Sequence, residues 1–100
     1  MTPLWASRVD DNQAQIVAEL RQCGVTVQHL HIVGQGCPDI LVGHNQRNYL
    51  FEIKDQDKIP SKRRLTEDEE DWHKEWGGQV DVILATEDAL KVMGILPAGL

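Results

Sequence analysis

The sequence predicts one α/β domain, in which a mixed sheet of about four strands is flanked by helices. Two observations lead to this prediction. Segments with helical periodicity alternate with short runs of β-branched residues along the chain. One helical segment also lies between two strand segments, and this order implies a right-handed crossover that makes those two strands parallel.

The first two predicted elements are a helix and a strand. The helix follows Asp10 and ends at Gly24, and one of its faces is apolar, with Ile16, Val17 and Leu20. Residues 25–33 are rich in β-branched residues, which indicates a strand. His29 and His31 are two apart on that strand, so two interpretations stay open: a metal-binding pair, or ordinary imidazoles on a partly exposed strand.

A hairpin follows, and it carries the residues with the most chemistry. Apolar residues 40–42 and residues 49–53 read as two strands, separated by a polar turn. A turn centred near Gln46 places Asp39 opposite the end of the second strand. Glu52 and Lys54 project together, because residues two apart share a strand face. Two carboxylates and one ammonium therefore converge, a set suited to a divalent metal and a phosphate.

The remaining elements alternate between helix and strand. Thr66 and Glu69 form a capping-box pattern at the start of a helix predicted over residues 66–76. Residues 80–84 read as a strand, and Thr86–Met93 as a last short helix that ends at a glycine. Together the elements predict the order helix, three strands, helix, strand, helix.

These motifs, taken in order, resemble the PD-(D/E)xK nuclease superfamily, and within it the small stand-alone VRR-NUC nucleases that phages often encode. The resemblance spans nearly the whole of the single domain predicted for residues 1–100, with a core at about residues 10–94. At Glu69 the chain departs from the family, whose members commonly carry Gln there. The matching segments are Gly36-x-Pro38-Asp39-Ile40, Phe51-Glu52-Ile53-Lys54, Ser61 through Leu65-Thr66, Trp72-His73, and Thr86 through Leu90.

The resemblance implies a restriction-endonuclease-like fold and an Mg²⁺- or Mn²⁺-dependent endodeoxyribonuclease. It implies that Asp39 and Glu52 are catalytic and bind the metal, and that the backbone carbonyl of Ile53 is a further ligand. Lys54 would be the third catalytic residue, which orients water or stabilises negative charge on the phosphate. Family members usually add an acid from the first helix, and Asp10 is the residue we expect there, with Asp11 as the alternative.

The charge distribution bears on DNA binding. A net charge of −6 argues against a generic nucleic-acid-binding surface. A basic cluster nevertheless follows the predicted site directly, and it reads either as a phosphate-contacting loop or as a solvated one. The acids at positions 67–71 fit a capped, solvated helix. The predicted DNA-binding residues of the basic cluster are Lys58, Lys62, Arg63 and Arg64.

The expected partner is DNA, as a Holliday junction or another branched structure, and the expected active species is a homodimer. Trp72 and Trp76 share a helix face and read either as dimer contacts or as intramolecular core. Cleavage of simple duplex or single-stranded ends stays open. So does a different class of function, a non-catalytic DNA-binding or assembly module that retains the fold.

Composition limits the other possibilities. No apolar run spans a bilayer and no signal-peptide pattern precedes the domain, so we expect a cytoplasmic protein, in the host cytoplasm if a phage encodes it. Cys23 and Cys37 lack a metal-binding spacing and are expected to be free thiols. Gly34 and Gly36 do not form a dinucleotide fingerprint, so no nucleotide cofactor is expected.

Overall fold

The computed structural model describes residues 11–95. Its four strands form one sheet in the order β1-β2-β3-β4, with β1-β2 and β2-β3 antiparallel and β3-β4 parallel. This mixed sheet, flanked by three helices, confirms the predicted α/β class. The elements are α1 (Gln13–Gln22), β1 (Thr26–His29), β2 (Ile40–His44), β3 (Arg47–Ile53), a 3₁₀ turn (Pro60–Lys62), α2 (Glu67–Glu75), β4 (Asp81–Ile83) and α3 (Thr86–Met93).

The hydrophobic core lies between one face of the sheet and the helices α1 and α3. Leu20 from α1, Phe51 from β3 and Leu90 from α3 are all almost completely buried there. Burying such a side chain stabilises the fold by about 1.5–3 kcal/mol. The whole cluster consists of Ile16, Val17, Leu20, Val25, Ile40, Val42, Phe51, Ile53, Ile83, Ala89, Leu90 and Met93.

The opposite face of the sheet carries polar side chains at one end. Phe51 and Ile53 of β3 point into the core, so Glu52 between them points to the other face. Helix α2 buries none of its residues and contributes nothing to the core cluster. In its first turn, Glu69 accepts a hydrogen bond from Lys54, which directly follows β3.

Two predicted strands are longer than the strands in the structure. The strand expected over residues 25–33 ends at His29, and that part of the prediction is wrong beyond this residue. The chain leaves the sheet because Leu30 makes its last pairing bond to Asp39, after which a turn closes from Leu30 to Val33. His31 therefore lies in a turn and not on a strand beside His29. Strand β4 is likewise shorter than residues 80–84.

The three predicted helices are present, although α2 is slightly shorter than residues 66–76. Helix α2 begins with the expected capping box, in which Thr66 and Glu69 exchange hydrogen bonds between side chain and backbone. Helix α3 ends at Gly94, whose φ of 73° is the left-handed conformation favoured by glycine. Within residues 11–95, no helix combines the length and apolar character needed to cross a membrane.

Candidate active site

The register of the β2-β3 hairpin brings Asp39 beside Glu52. Ile40 pairs with Phe51, so Asp39, the residue before β2, lies opposite Glu52 near the end of β3. Two hydrogen bonds extend this pairing: the Asp39 N–H donates to the Phe51 carbonyl at 3.1 Å, and the Ile53 N–H donates to Asp39 Oδ2 at 2.7 Å. The convergence predicted from a turn near Gln46 is present.

A cavity of about 400 Å³ lies in front of these side chains. Asp39, Glu52 and Lys54 all line it. The loop of residues 31–37 and the first turn of α2 supply the remaining walls, so the cavity is formed by segments far apart in the sequence. Its volume is large enough for several water molecules or one phosphate group.

The two carboxylates are held in a poorly solvated position. Glu52 is 2 % exposed, and burial, reinforced by the neighbouring Asp39 carboxylate, raises the pKa of Glu52 to about 11. Burial also raises the pKa of Asp39. Two adjacent carboxylates cannot both ionise cheaply, so without a cation the pair retains a proton at neutral pH.

One oxygen of Glu52 receives no hydrogen bond from a donor group among the described residues. This oxygen is Oε1, and it is buried. A buried acceptor left unsatisfied costs about 1–3 kcal/mol. A divalent cation bound between Asp39 and Glu52 would coordinate such an oxygen and remove the repulsion between the two carboxylates.

Lys54 is fixed by Glu69 of helix α2. Its Nζ atom donates a hydrogen bond to Glu69 Oε1 at 2.8 Å and lies 3.8 Å from Glu52 Oε2. Burial raises the pKa of Glu69, but hydrogen bonds from Lys54 and from the Thr66 backbone outweigh burial and hold that pKa below its usual value. Glu69 is therefore ionised and pairs with the Lys54 ammonium.

Gly36 allows α2 to approach this closely. Its φ of 83° is left-handed, and a Cβ atom there would lie 2.9 Å from the Glu69 nitrogen and closer still to the Asp68 carbonyl. Any side chain at this position would push the first turn of α2 away from the loop. The absence of a side chain at Gly36 thus lets the first turn of α2 lie against the loop.

The residues present fit a hard divalent cation in part. Asp39 and Glu52 supply carboxylate oxygens, and the main chain at Ile53 lies beside both, since its N–H is bonded to Asp39. Asp10, the expected ligand from the first helix, lies outside the described residues. Within residues 11–95, no group of three or more His, Cys, Asp or Glu side chains has a metal-binding arrangement.

The predicted basic cluster does not line the cavity. Lys58 forms an ion pair with Asp11 at 3.0 Å, and Lys62 is exposed at the end of the 3₁₀ turn. Arg63 and Arg64 line a different cleft, beside β4 and α3. The structure therefore separates these four residues into three environments.

Sequence reasoning missed two residues that contribute to the cavity. His31 lines it from the turn that follows β1 and not from the strand, and its ring meets the ring of His29 edge to face at 5.6 Å between centroids. Glu69 was identified only as a helix cap and as a departure from the family pattern. The capping-box position was the available signal, since it fixes which way the Glu69 carboxylate points.

Comparisons of this chain with protein-family models, with curated proteins and with solved structures find no match. The functional interpretation therefore depends on the site geometry and on the ordered motifs of the sequence. Among these, the pairing of Asp39 with Glu52 beside Lys54 is the feature with the clearest chemical consequence.

Proposed function

We propose that this protein is a metal-dependent endodeoxyribonuclease, which hydrolyses DNA phosphodiester bonds in the manner of the PD-(D/E)xK superfamily. One observation carries the proposal: Asp39, Glu52 and Lys54 line a single cavity at the open end of one hairpin. A protein that needed only structural stability would gain little from two buried carboxylates beside a buried ammonium.

Asp39 and Glu52 are the proposed metal ligands, with the Ile53 carbonyl and Asp10 completing the protein's share. The Glu52 Oε1 atom, which receives no hydrogen bond from the described residues, and the raised pKa of both carboxylates support this assignment, because a bound cation would coordinate that oxygen and favour the ionised carboxylates. When bound, Mg²⁺ or Mn²⁺ supplies Lewis-acid chemistry, which activates water and polarises the scissile phosphate.

Lys54 provides the positive charge on the substrate side of the pair. Its ammonium lies 3.8 Å from Glu52 Oε2, where it orients the attacking water or stabilises the negative charge that develops on the phosphate. Glu69 holds the ammonium in place through a 2.8 Å hydrogen bond. A group already fixed before the reaction needs no reorganisation when the charge develops.

We further propose that the substrate is branched DNA and that the active species is a homodimer. A junction requires two coordinated cuts, and a two-fold dimer supplies two sites. Trp72 and Trp76 support a dimer contact, since they stack at 4.7 Å between ring centroids and Trp76 is 44 % exposed. Free Cys23 and Cys37 fit a reducing compartment, the cytoplasm of the producing or host cell.

A panel of labelled substrates tests this proposal. Duplex, flap, splayed and four-way junction DNAs are incubated with the protein and Mg²⁺ or Mn²⁺, with EDTA as the blank. We expect cleavage of a branched substrate that requires the metal and is lost in Glu52→Gln. Binding without cleavage of any substrate would refute the nuclease and favour the non-catalytic DNA-binding module.

A further inference from the structure

A second cleft lies on the outer side of β4. It has a volume of about 710 Å³ and is bounded by the segment of residues 60–64, by β4 and by the last turns of α3. Three cationic residues line it, namely Arg63, Arg64 and Lys91. β4 is an edge strand, so this cleft opens at the margin of the sheet.

Among the described residues, none forms an ion pair with the cations of this cleft. The buried Arg63 Nε atom has no hydrogen-bond partner within residues 11–95. A buried donor of this kind is costly unless something outside the described chain satisfies it. The cleft therefore offers donors and positive charge to an external anion.

The two acids in the cleft are already engaged. Asp88 caps helix α3 by accepting hydrogen bonds from the backbone nitrogens of Leu84 and Ala85, at 2.9 and 3.2 Å. Asp81 accepts a hydrogen bond from Gln79 Nε2 at 2.8 Å. Both carboxylates are thus turned toward partners in the protein, which leaves the cationic groups to set the chemistry of the cleft.

The cleft lies at the edge of the sheet on the strand next to the one that carries Glu52. Val82, which lines the cleft, is the register partner of Glu52 in the neighbouring strand. Adjacent strands are about 4.8 Å apart. Successive phosphates of one strand in duplex DNA are about 3.4 Å apart along the helix axis. A DNA backbone that leaves the site and passes round the β4 edge of the sheet would bring further phosphates to Arg63, Arg64 and Lys91.

We propose that Arg63, Arg64 and Lys91 form a binding site for the DNA phosphate backbone that flanks the cleaved bond. The identity of the anion rests on the nuclease function proposed above. The site differs from the basic cluster read from the sequence, since it includes Lys91 from α3 and excludes Lys58, which pairs with Asp11. Its contacts position DNA without reading base sequence.

Salt-dependent DNA binding in EDTA tests this site without any cleavage. Anisotropy of a short labelled duplex is measured over a range of salt concentrations for wild type, Lys91→Gln and Arg63→Gln. Each substitution removes one phosphate contact, so we expect the slope of log affinity against log salt to fall in magnitude by about one. Arg47→Gln is the matched control, because Arg47 begins β3 at the end opposite Ile53.

The outcomes separate the cleft from the nuclease function. A Lys91→Gln slope equal to that of wild type would overturn the proposed phosphate site, even if the protein cuts DNA. A slope reduced equally by Arg47→Gln would do the same. Slopes reduced for Lys91→Gln and Arg63→Gln but not for Arg47→Gln would support the proposed phosphate site, even if no cleavage occurs. Binding of inorganic phosphate at the cleft by a protein that does not bind the duplex would also overturn the proposal.

Discussion

Glu69 Oε1 accepts two hydrogen bonds at once, from Lys54 Nζ and from the Thr66 backbone nitrogen, each at 2.8 Å. The same oxygen therefore completes the capping box of α2 and fixes the ammonium of the candidate site. A capping interaction, which in most helices affects only local stability, is here connected directly to the proposed chemistry.

Glu69→Gln and Glu69→Ala separate these two roles. Gln retains a cap and a hydrogen-bond acceptor, so we expect a loss of about 1 kcal/mol in unfolding free energy and retained cleavage. Ala removes both interactions, so we expect a loss of about 2 kcal/mol and much weaker cleavage. Denaturant unfolding and cleavage assays measure both. Exposed Glu70→Gln is the control, and equal effects of the two Glu69 variants would contradict the shared role.

Gly36→Ala tests the contact that sets the position of α2. The new Cβ would collide with the Asp68 carbonyl and the Glu69 nitrogen, so we expect unfolding at lower denaturant and reduced cleavage. Gly34→Ala is a matched control, because Gly34 also has a positive φ, of 74°, but has no atom within 4 Å of the added Cβ. We expect Gly36→Ala to be less stable than the control by about 2 kcal/mol. Equal denaturation midpoints would show that α2 does not depend on this contact.

Much of this arrangement could be predicted from local sequence. The register between Asp39 and Glu52 follows from a polar turn between two short strands, and the cap at Thr66 follows from a four-residue pattern. The contact of Glu69 with Lys54 could not be predicted in this way. It depends on how closely α2 approaches the loop at Gly36, a long-range packing property with no local signal.

Two further features depend on tertiary structure in the same way. His31 leaves the sheet because Leu30 makes the last pairing bond to Asp39, although the β-branched residues after it favour a longer strand. Lys91 meets Arg63 and Arg64 only because α3 packs beside β4. Their proximity in the sequence grouped the arginines with Lys58, which does not line the cleft.

The raised pKa of Glu52 predicts how stability depends on pH without metal. Above the ordinary Glu pKa of 4.5 the unfolded chain releases this proton, whereas the folded chain keeps it up to about pH 11. The folded state then binds more protons, so stability falls as pH rises through this window, by at most about 1.4 kcal/mol per unit. Thermal unfolding in EDTA from pH 5 to 8 measures the slope.

Glu52→Gln is the control for that slope. The variant cannot release the proton, so its stability should decline less with pH than that of wild type. The lowered pKa of Glu69 does not interfere, since its effect on stability is confined to pH below 4.5. Identical slopes of stability against pH for wild type and Glu52→Gln would contradict the conclusion that Glu52 is buried and protonated in the folded state. Added Mn²⁺ should stabilise wild type more at higher pH, because the metal binds the deprotonated pair.

The stacked tryptophans predict a homodimer. The intramolecular-core alternative does not hold for Trp76, which is 44 % exposed and absent from the core cluster. We expect light scattering across a concentration series to give a dimer mass for wild type and a shift toward monomer for Trp76→Ser. Val92→Ser changes another exposed apolar residue, 41 % exposed on α3, and should leave the mass unchanged. A monomer at every concentration would contradict the prediction.

In the proposed site, Asp39 and Glu52 bind the metal. Lys54 is not required for metal binding but is required for cleavage. Calorimetric titration of Mn²⁺ into folded wild type, Asp39→Ala, Glu52→Ala and Lys54→Ala, paired with cleavage of a labelled four-way junction, tests these roles most directly. We predict that both carboxylate variants lose metal binding and cleavage, whereas Lys54→Ala binds the metal and does not cleave. Cleavage by Glu52→Ala at the wild-type rate would contradict the assignment.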